Sequence, residues 1–234
     1  MFNNIAHNYD FLNHFLSFGI DFYWRRRAIR ILKSVLEVHR PHAIFNSTLH
    51  LLDLATGTAD LAIEARSMEP ASIIGIDVAR EMIARGEKKV SKKNLSHLIH
   101  LEIGDAENLK YHDDSFDAVM IGYGIRNFEN PEKGLKEIYR VLAPGGVLMI
   151  LEFSKPKSFP VKQLYHVYSK YLMPMIGRLF SKDKAAYKYL PESIQHFPEG
   201  DRFLSMLTQA GFQETIFKPL TFRVSSVYTG VKIV

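Results

Sequence analysis

The chain has 234 residues, of which 47% are hydrophobic and 24% are charged, a composition that supports one globular domain with a sizeable core. It contains no cysteine, which excludes disulfides, thiolate metal ligands and a cysteine nucleophile. Its 30 basic and 25 acidic residues give a formal net charge of +5. This mild excess is compatible with nucleic acid, with an anionic membrane surface, or with an ordinary solvated surface.

The N-terminal stretch "MFNNIAHNYDFLNHF" has neither the charged lead and apolar core of a secretory signal nor the pattern of a transit peptide. No uncharged run approaches the ~20 residues needed to span a bilayer. We therefore expect a cytoplasmic protein, and association with the membrane surface stays open as an addition to that expectation.

Apolar runs alternate with helical patterns along the chain, which is typical of an α/β fold with a mostly parallel sheet and flanking helices. The predicted strands are 50–55, 72–77, 98–103, 116–122 and 146–153, followed by a C-terminal β-hairpin near 214–219 and 225–232. The predicted helices are 60–68, 79–92, 131–142 and, near the C-terminus, 200–210. We expect the helix over 131–142 to begin at the cap Asn130 and to stop at Pro144-Gly145-Gly146.

No repeat, low-complexity tract or linker divides the chain, so residues 1–234 are predicted to form a single domain. Residues 1–45 are predicted to be an N-terminal helical segment, and residues 154–198 a helical insertion. Within the insertion, residues 159–180 are rich in aromatic and basic side chains at near-helical spacing, interrupted by Pro174. This stretch could be a core-packed helix or an apolar wall that also contacts a membrane surface.

The stretch "LLDLATGTADLA" (51–62) predicts a strand, a tight turn and a helix, and the first such turn is the usual cofactor site of an open α/β sheet. A triphosphate-binding loop would need Gly-Lys-Ser/Thr, which the chain lacks. A dinucleotide site would need three glycines, but here Gly57 is the only one, Ala59 follows, and the Asp60 carboxylate would repel a pyrophosphate. The same carboxylate suits the amino group of S-adenosylmethionine.

Two further acids follow the next strands. Asp77 ends the second strand and could accept hydrogen bonds from both ribose hydroxyls. The stretch "GDAENL" (104–109) follows the third strand and would bring Asp105 and the Ala106 amide to an adenine edge. Taken singly, such acids could be a helix cap, a turn residue or an Asx-turn. Their order at the ends of successive strands favours S-adenosylmethionine as the cofactor.

Several longer segments resemble the quinone C-methyltransferases of menaquinone and ubiquinone biosynthesis, and the resemblance covers nearly the whole chain. The segments are "YDFLNHFLSFGIDFYWRRR" (9–27), "LLDLATGTADLA", "GDAENLKYHDDSFD", "GIRNFENPEKGLKEIYRVLAPGGVLMILEFSKP" (124–156) and "YKYLPESIQHFPEGDRFLSMLTQAGF" (187–212). The resemblance implies a class I S-adenosylmethionine-dependent methyltransferase fold with seven strands, the last antiparallel. It also implies cofactor contacts by the residues Gly57, Thr58, Asp77, Asp105 and Ala106.

Some positions depart from the family pattern. Gly122 matches a position where some members carry a cofactor-contacting serine, and Ala59 replaces a glycine of the first turn. Near the C-terminus, Phe222 and Arg223 stand in place of glycines and Tyr228 in place of a histidine, while Asp21 stands where a histidine is common. These departures bear on the identity of the substrate more than on the fold or the methyl donor.

The resemblance implies methylation of a ring carbon of a reduced polyprenyl quinol. We expect the methyl acceptor to be demethylmenaquinol, because the chain is short and carries no organelle-targeting sequence. The benzoquinol of ubiquinone biosynthesis is the alternative.

The hydroxyl of a quinol resembles that of tyrosine, so forming its anion at pH 7 costs roughly 4 kcal/mol. We hypothesise that Arg126 stabilises the anion, that Asn127 orients the ring, and that Tyr9, in an N-terminal lid, covers the substrate or relays its proton. The insertion would lie on the substrate side.

Two other functions remain as alternatives. An RNA methyltransferase fits the basic charge, but the fourth strand ends in "IGYGIRN" and not in an Asp/Asn-Pro-Pro-aromatic turn, so we expect no nucleic-acid partner. A non-catalytic S-adenosylmethionine-binding module would bind the donor without turnover. The ten histidines form no metal-ligand spacing with carboxylates, so no metal site is predicted. The sequence leaves open whether the protein forms a homodimer.

Overall fold

A computed structural model describes residues 17, 19–169 and 192–233. Seven strands form one sheet: β1 (His50–Leu54), β2 (Ser72–Asp77), β3 (Ile99–Ile103), β4 (Phe116–Gly122), β5 (Leu142–Phe153), β6 (Gln213–Leu220) and β7 (Ser225–Val231). The labelled helices are α1 (Ile20–His39), α2 (Pro41–Phe45), α3 (Asp60–Ala65), α4 (Arg80–Lys92), α5 (Pro131–Val141), α6 (Val161–Val167) and α7 (Asp201–Gln209). Single 3₁₀ turns cover Arg66–Met68, Ile125–Asn127 and Thr221–Arg223.

The strand order is β3-β2-β1-β4-β5-β7-β6, with parallel pairing from β3 to β5 and antiparallel pairing of β7 with both of its neighbours. The predicted α/β class, the mostly parallel sheet and the C-terminal hairpin are therefore confirmed. After β1 the chain builds outward to β2 and β3, and then returns to β4 on the other side of β1. Ligands bind at such a switch point, outside the carboxyl ends of the strands.

Helices cover both faces of the sheet, as a parallel sheet requires. On one face, α1 buries Ala28, Leu32 and Leu36, which lie four residues apart on one stripe of the helix. On the other face, α5 and α7 contribute the buried Leu135 and Phe203 among others. Each fully buried leucine contributes about 1.5–3 kcal/mol, so α1 is an integral part of the core.

The predicted boundary between the helix over 131–142 and the strand over 146–153 is wrong. The helix α5 begins as expected, with Pro131 in its first turn and the Asn130 side chain accepting a hydrogen bond from the Lys133 N–H (3.0 Å), but it ends at Val141. The strand β5 then starts at Leu142, and not at 146, because Leu142 pairs with Phe116 of β4 ahead of an irregularity in the register, after which pairing resumes at Val147. Gly145 adopts a left-handed φ of 77° and donates its N–H to the Lys232 carbonyl (2.7 Å).

The two helical segments predicted outside the sheet are described in part. Of residues 1–45, α1 packs into the core, and residues 1–16, which include Tyr9, lie outside the described residues; the lid role stays a prediction for them. Of residues 154–198, α6 and a helical turn over 192–196 are described, and residues 170–191 lie outside. Among the described residues, no helix combines the length and the apolar character needed to cross a membrane.

The β6–β7 connection contains a strained backbone. Thr221, Phe222 and Arg223 all have positive φ, at 44°, 52° and 70°. This left-handed conformation costs a residue with a Cβ roughly 1–2 kcal/mol. Trp24 Nε1 donates to Thr221 Oγ1 (2.8 Å), which ties the connection to the start of α1, whereas the Phe222 side chain is 78% exposed. The two residues that depart from the family's glycines are therefore held where glycine would fit with less strain.

Replacing Phe222 by glycine should stabilise the protein, because it removes the left-handed strain while losing little packing. We expect Phe222→Gly to raise the free energy of unfolding by about 1 kcal/mol in urea denaturation. Phe222→Ala is the matched control, since alanine loses the same ring but keeps the Cβ. Equal stabilities of the two variants would contradict this account.

Candidate functional site

A cavity of about 270 Å³ opens at the carboxyl ends of β1 to β4. We call it the first cavity. Six of the residues predicted from the sequence line it: Gly57, Asp77, Asp105, Ala106, Gly122 and Asn127. The structure therefore brings together residues from four strand ends that span seventy positions of the chain.

The turn after β1 exposes its backbone to the first cavity. Ala55, Gly57 and Ala59 all have left-handed φ values, of 52°, 55° and 67°. A Cβ added to Gly57 would meet no atom within 4 Å, so open space lies in front of this Cα. The Gly57 N–H donates to Asp77 Oδ2 (2.9 Å), which holds the turn against the end of β2. A ligand can thus approach the main chain closely at this glycine.

Asp77 is anchored by backbone groups and keeps acceptor capacity. Its Oδ2 accepts from Gly57 and its Oδ1 accepts from the Ala79 N–H (2.8 Å). A carboxylate offers about four lone-pair sites, so roughly half remain for hydroxyls of a ligand. Burial raises the pKa of Asp77, and the two backbone hydrogen bonds oppose that rise. The group is oriented and only partly satisfied, as a diol-binding site requires.

Two of the predicted cofactor residues do not line the first cavity. Lys89 of α4 donates from Nζ to Thr58 Oγ1 (2.9 Å) and to Asp60 Oδ1 (2.9 Å). The Asp60 carboxylate, which we predict to face an amino group of the cofactor, thus forms an ion pair with Lys89, and both side chains are partly exposed. Sequence reasoning missed Lys89 because it lies in the basic run "EKKVSKK", which is typical of a solvated helix face.

Gly122 lines the first cavity without a side chain. A Cβ at this position would lie 3.1 Å from Leu61 Cδ2, so a serine here would require Leu61 to move. The glycine and Leu61 therefore fit each other, and this position presents main chain to the first cavity.

The 3₁₀ turn Ile125–Asn127 separates the first cavity from a second one. Asn127 lines the first, while Arg126 lines a neighbouring cavity of about 410 Å³, which we call the second cavity. Its lining is mostly apolar and includes Ile125, Phe197, Phe203 and Met206, with Glu192, Ser193 and His196 as polar members. The turn is held close to β1, since a Cβ on Gly124 would lie 2.6 Å from that of Ala55. Arg126 and Asn127 are adjacent in the sequence, yet each lines a different cavity.

Arg126 forms a buried ion pair with Glu152, the penultimate residue of β5. Its Nη1 donates to Glu152 Oε1 (2.6 Å) and to the Tyr123 carbonyl (2.6 Å), and its guanidinium carbon lies 5.4 Å from the centre of the Phe153 ring. The exposed fraction is 7% for the Arg126 side chain and 0% for Glu152, so Arg126 is not a surface loop residue. Burial raises the pKa of Glu152, and the charge of Arg126 opposes that rise.

A second buried acid lies beneath the first turn. Asp53 of β1 accepts at Oδ2 from Thr56 Oγ1 (2.6 Å) and from the Ala62 N–H (3.1 Å), which joins the turn to α3. Burial raises the pKa of Asp53 to about 7. Sequence reasoning assigned no role to Asp53 or Glu152. The available signal was an acid within an apolar strand, in "LLDL" and "LEF".

The family model and the relatives that match this chain are all named as methyltransferases. The model of the ubiE/COQ5 methyltransferase family matches residues 1–232. A demethylmenaquinone methyltransferase of Bacteroides fragilis is 45% identical, covering 99% of this chain and 91% of the relative. A ubiquinone/menaquinone biosynthesis C-methyltransferase UbiE of Geotalea daltonii is 44% identical, covering 99% and 94%.

A solved structure shares the fold at low sequence identity. Phosphoethanolamine N-methyltransferase 2 of Haemonchus contortus, in complex with S-adenosyl-L-methionine, is 15% identical and superposes with a TM-score of 0.62. The match covers 88% of this chain and 53% of that one.

The raised pKa of Asp53 predicts a pH dependence of stability. The folded protein holds a proton on Asp53 up to about pH 7, whereas the unfolded chain loses it near 3.8, so this contribution is complete below pH 3.8 and is lost as pH rises through about 7. The loss amounts to roughly 4 kcal/mol, at about 1.36 kcal/mol per pH unit. Asp53→Asn cannot ionise, so we expect the stability of the wild type relative to this variant to fall by up to that amount.

Urea denaturation of the wild type and Asp53→Asn at pH 4.5 and pH 8 measures this difference, and the comparison cancels the groups that titrate in both proteins. A stability difference that stays constant or grows in favour of the wild type would refute the assignment.

Proposed function

The chain belongs to the ubiE/COQ5 methyltransferase family, and from this premise we propose that it transfers the methyl group of S-adenosylmethionine to a ring carbon of demethylmenaquinol. The observation that carries the proposal is the turn Ile125–Asn127, which lies between a first cavity lined by the acids Asp77 and Asp105 and a second, mostly apolar cavity lined by Arg126. A benzoquinol of ubiquinone biosynthesis is the second candidate, since the name of the Geotalea daltonii relative covers both quinones.

The residues of the first cavity fit S-adenosylmethionine. Gly57 offers open backbone, Asp77 keeps lone pairs for the ribose hydroxyls, and Asp105, which accepts from the Glu107 N–H (2.8 Å), presents a rigid Asx-turn beside the Ala106 amide. The complex of the Haemonchus contortus enzyme with S-adenosyl-L-methionine supports the choice of ligand for this fold. Once bound, the cofactor supplies an electrophilic methyl group on a sulfonium centre.

The second cavity suits an aromatic acceptor that must become an anion. Ionising a quinol hydroxyl with a pKa near ~10 costs roughly 4 kcal/mol at pH 7. A pre-oriented donor aimed at such an anion contributes about 3–4 kcal/mol in enzymes where one has been removed. Arg126 is desolvated and held by Glu152 and the Tyr123 carbonyl, so its charge needs little rearrangement. We assign it the stabilisation of the quinolate, and Asn127 the orientation of the ring beside the first cavity. Tyr9 keeps its proposed role as a cover or proton relay.

Transfer of labelled methyl tests the function. Purified protein is incubated with labelled S-adenosylmethionine and, in separate reactions, with chemically reduced demethylmenaquinol and with the demethylated ubiquinone precursor. We expect label on the naphthoquinol. Label on neither quinol, with binding of S-adenosylmethionine intact, would refute the proposal and favour a non-catalytic binding module.

Two variants separate donor binding from turnover in the same assay. Asp77→Asn should weaken S-adenosylmethionine about tenfold or more, since hydrogen bonds to a charged group contribute about 1.5–3 kcal/mol. Arg126→Lys keeps a charge opposite the buried Glu152 but changes its geometry, so we expect turnover to fall about 10²-fold with unchanged donor affinity. Arg140→Lys is the matched control, because Arg140 pairs with Glu137 and Asp113 and lines neither cavity.

We also propose that the protein meets its lipid-soluble substrate at a membrane surface. Tyr23 and Phe222 are exposed at 54% and 78%, and the bond between Trp24 and Thr221 joins their segments. We call Tyr23 and Phe222 the aromatic rim. It lies at the cavity edge of the sheet, since the Trp24 ring is 6.2 Å from that of Phe153. Aromatic side chains with nearby arginines such as Arg26 suit an anionic interface.

Sedimentation with vesicles tests this contact. We expect binding to phosphatidylserine-containing vesicles that weakens with salt, and a several-fold loss in Tyr23→Ser/Phe222→Ser. Phe45→Ser is the control, because Phe45 is 88% exposed but precedes β1, at the opposite edge of the sheet. Equal loss in the control, or no binding by the wild type, would rule out the aromatic rim as the contact.

A further inference from the structure

The buried ion pair between Arg126 and Glu152 contains two polar atoms with no hydrogen-bond partner among the described residues. One is Arg126 Nε, whose N–H is a donor, and the other is Glu152 Oε2, which is an acceptor. Both atoms are enclosed by protein, and both side chains are more than nine-tenths buried. Buried polar atoms are nearly always hydrogen-bonded, so an open donor and an open acceptor on one pair need an explanation.

A hydroxyl group would satisfy both atoms at once. It can donate one hydrogen bond and accept others, whereas an ether or a carbonyl oxygen can only accept. The two open atoms belong to the same ion pair, whose groups are joined by the 2.6 Å contact between Nη1 and Oε1. The neighbouring Phe153 ring and the apolar walls of the second cavity suit an aromatic ring attached to that hydroxyl.

We propose that Arg126 and Glu152 form a hydroxyl-binding site, in which the hydroxyl of an aromatic acceptor donates to Glu152 Oε2 and accepts from the Arg126 N–H at Nε. The hydroxyl enters from the second cavity, which Arg126 lines, with a small shift of that side chain. The identification of the ring as the quinol rests on the proposed function. The site adds Glu152 to the residues that bind the methyl acceptor.

The hydrogen bonds around Glu152 make glutamine an informative replacement. Arg126 Nη1 and the Phe153 N–H (2.8 Å) both donate to Oε1. In Glu152→Gln the amide oxygen must take this position, and the NH₂ group then stands where Oε2 was. The site would present two donors, so a hydroxyl would lose its acceptor while an ether oxygen would keep its donors.

Calorimetric titration with two matched probes tests the site without any catalytic step. The probes are 1-naphthol, which donates and accepts, and 1-methoxynaphthalene, which only accepts. We expect the wild type to bind 1-naphthol at least tenfold more tightly, and Glu152→Gln to lose or reverse this preference. Glu199→Gln is the control, because Glu199 pairs with Arg223, accepts from the Lys155 N–H (2.7 Å) and lines neither cavity; it should keep the preference.

Equal affinities of the wild type for the two probes would overturn the proposal, and this result does not depend on the folding of any variant. An unchanged preference in a folded Glu152→Gln protein would overturn the assignment of Glu152. The outcomes also separate this site from the proposed function. A tenfold preference for 1-naphthol without methyl transfer to either quinol would support the hydroxyl-binding site and refute the proposed function. Methyl transfer by a protein that binds both probes equally would support the function and refute the site.

Discussion

The parallel pairing of β1 with β4 is the constraint on which both cavities depend. After β1 the chain continues toward β2, whereas after β4 it continues toward β5, on the other side of this central pair. The turns that follow the two strands therefore diverge and leave space between them. The close approach of Gly124 to Ala55 keeps that space narrow at its base. A bulkier residue at either position would push the turn Ile125–Asn127 away from the first turn, and both cavities would change together.

Three acids lie along this edge of the sheet, Asp53 and Glu152 buried and Asp77 half-buried, and each is stabilised differently. Asp53 is held by a hydroxyl and one backbone amide, Asp77 by two backbone amides, and Glu152 by a guanidinium. Burying a carboxylate is costly unless it is hydrogen-bonded or paired. The first two acids stabilise the shape of the turn after β1, whereas the third fixes a positive charge beside an apolar cavity. The edge therefore combines backbone order with a pre-oriented cation, and the proposed methyl transfer to a phenolic ring depends on both.

Much of the fold and part of the site could be predicted because they depend on local patterns. Alternating strands and helices determine that strand ends share one edge, so the sequence alone groups Gly57, Asp77 and Asp105. The family, too, was predicted from its motifs and is confirmed by the comparisons. By contrast, the start of β5 could not be predicted, because it depends on the pairing of Leu142 with Phe116 on the neighbouring strand.

Local sequence patterns also do not identify the ion-pair partners of charged side chains. Asp60 was correctly expected at a helix start, but its pairing with Lys89 depends on how α4 packs beside α3. Arg126 was selected as a functional residue, yet its partner Glu152 lies 26 positions away on a neighbouring strand, where only the packing of β4 against β5 brings them together. Long side chains can reach several acids, and the sequence does not say which one they meet.

Trp24 is the only tryptophan in the chain, and its position gives the protein a built-in optical reporter. Its ring lies 6.4 Å from that of Tyr123 and 6.2 Å from that of Phe153, the residues that flank the Arg126 and Glu152 pair, and its Nε1 is bonded to the β6–β7 connection. The emission spectrum of the unlabelled protein therefore reports on one corner of the molecule, where α1, the sheet edge and the C-terminal hairpin meet. A ligand that rearranges this corner would be visible in the fluorescence without any added dye.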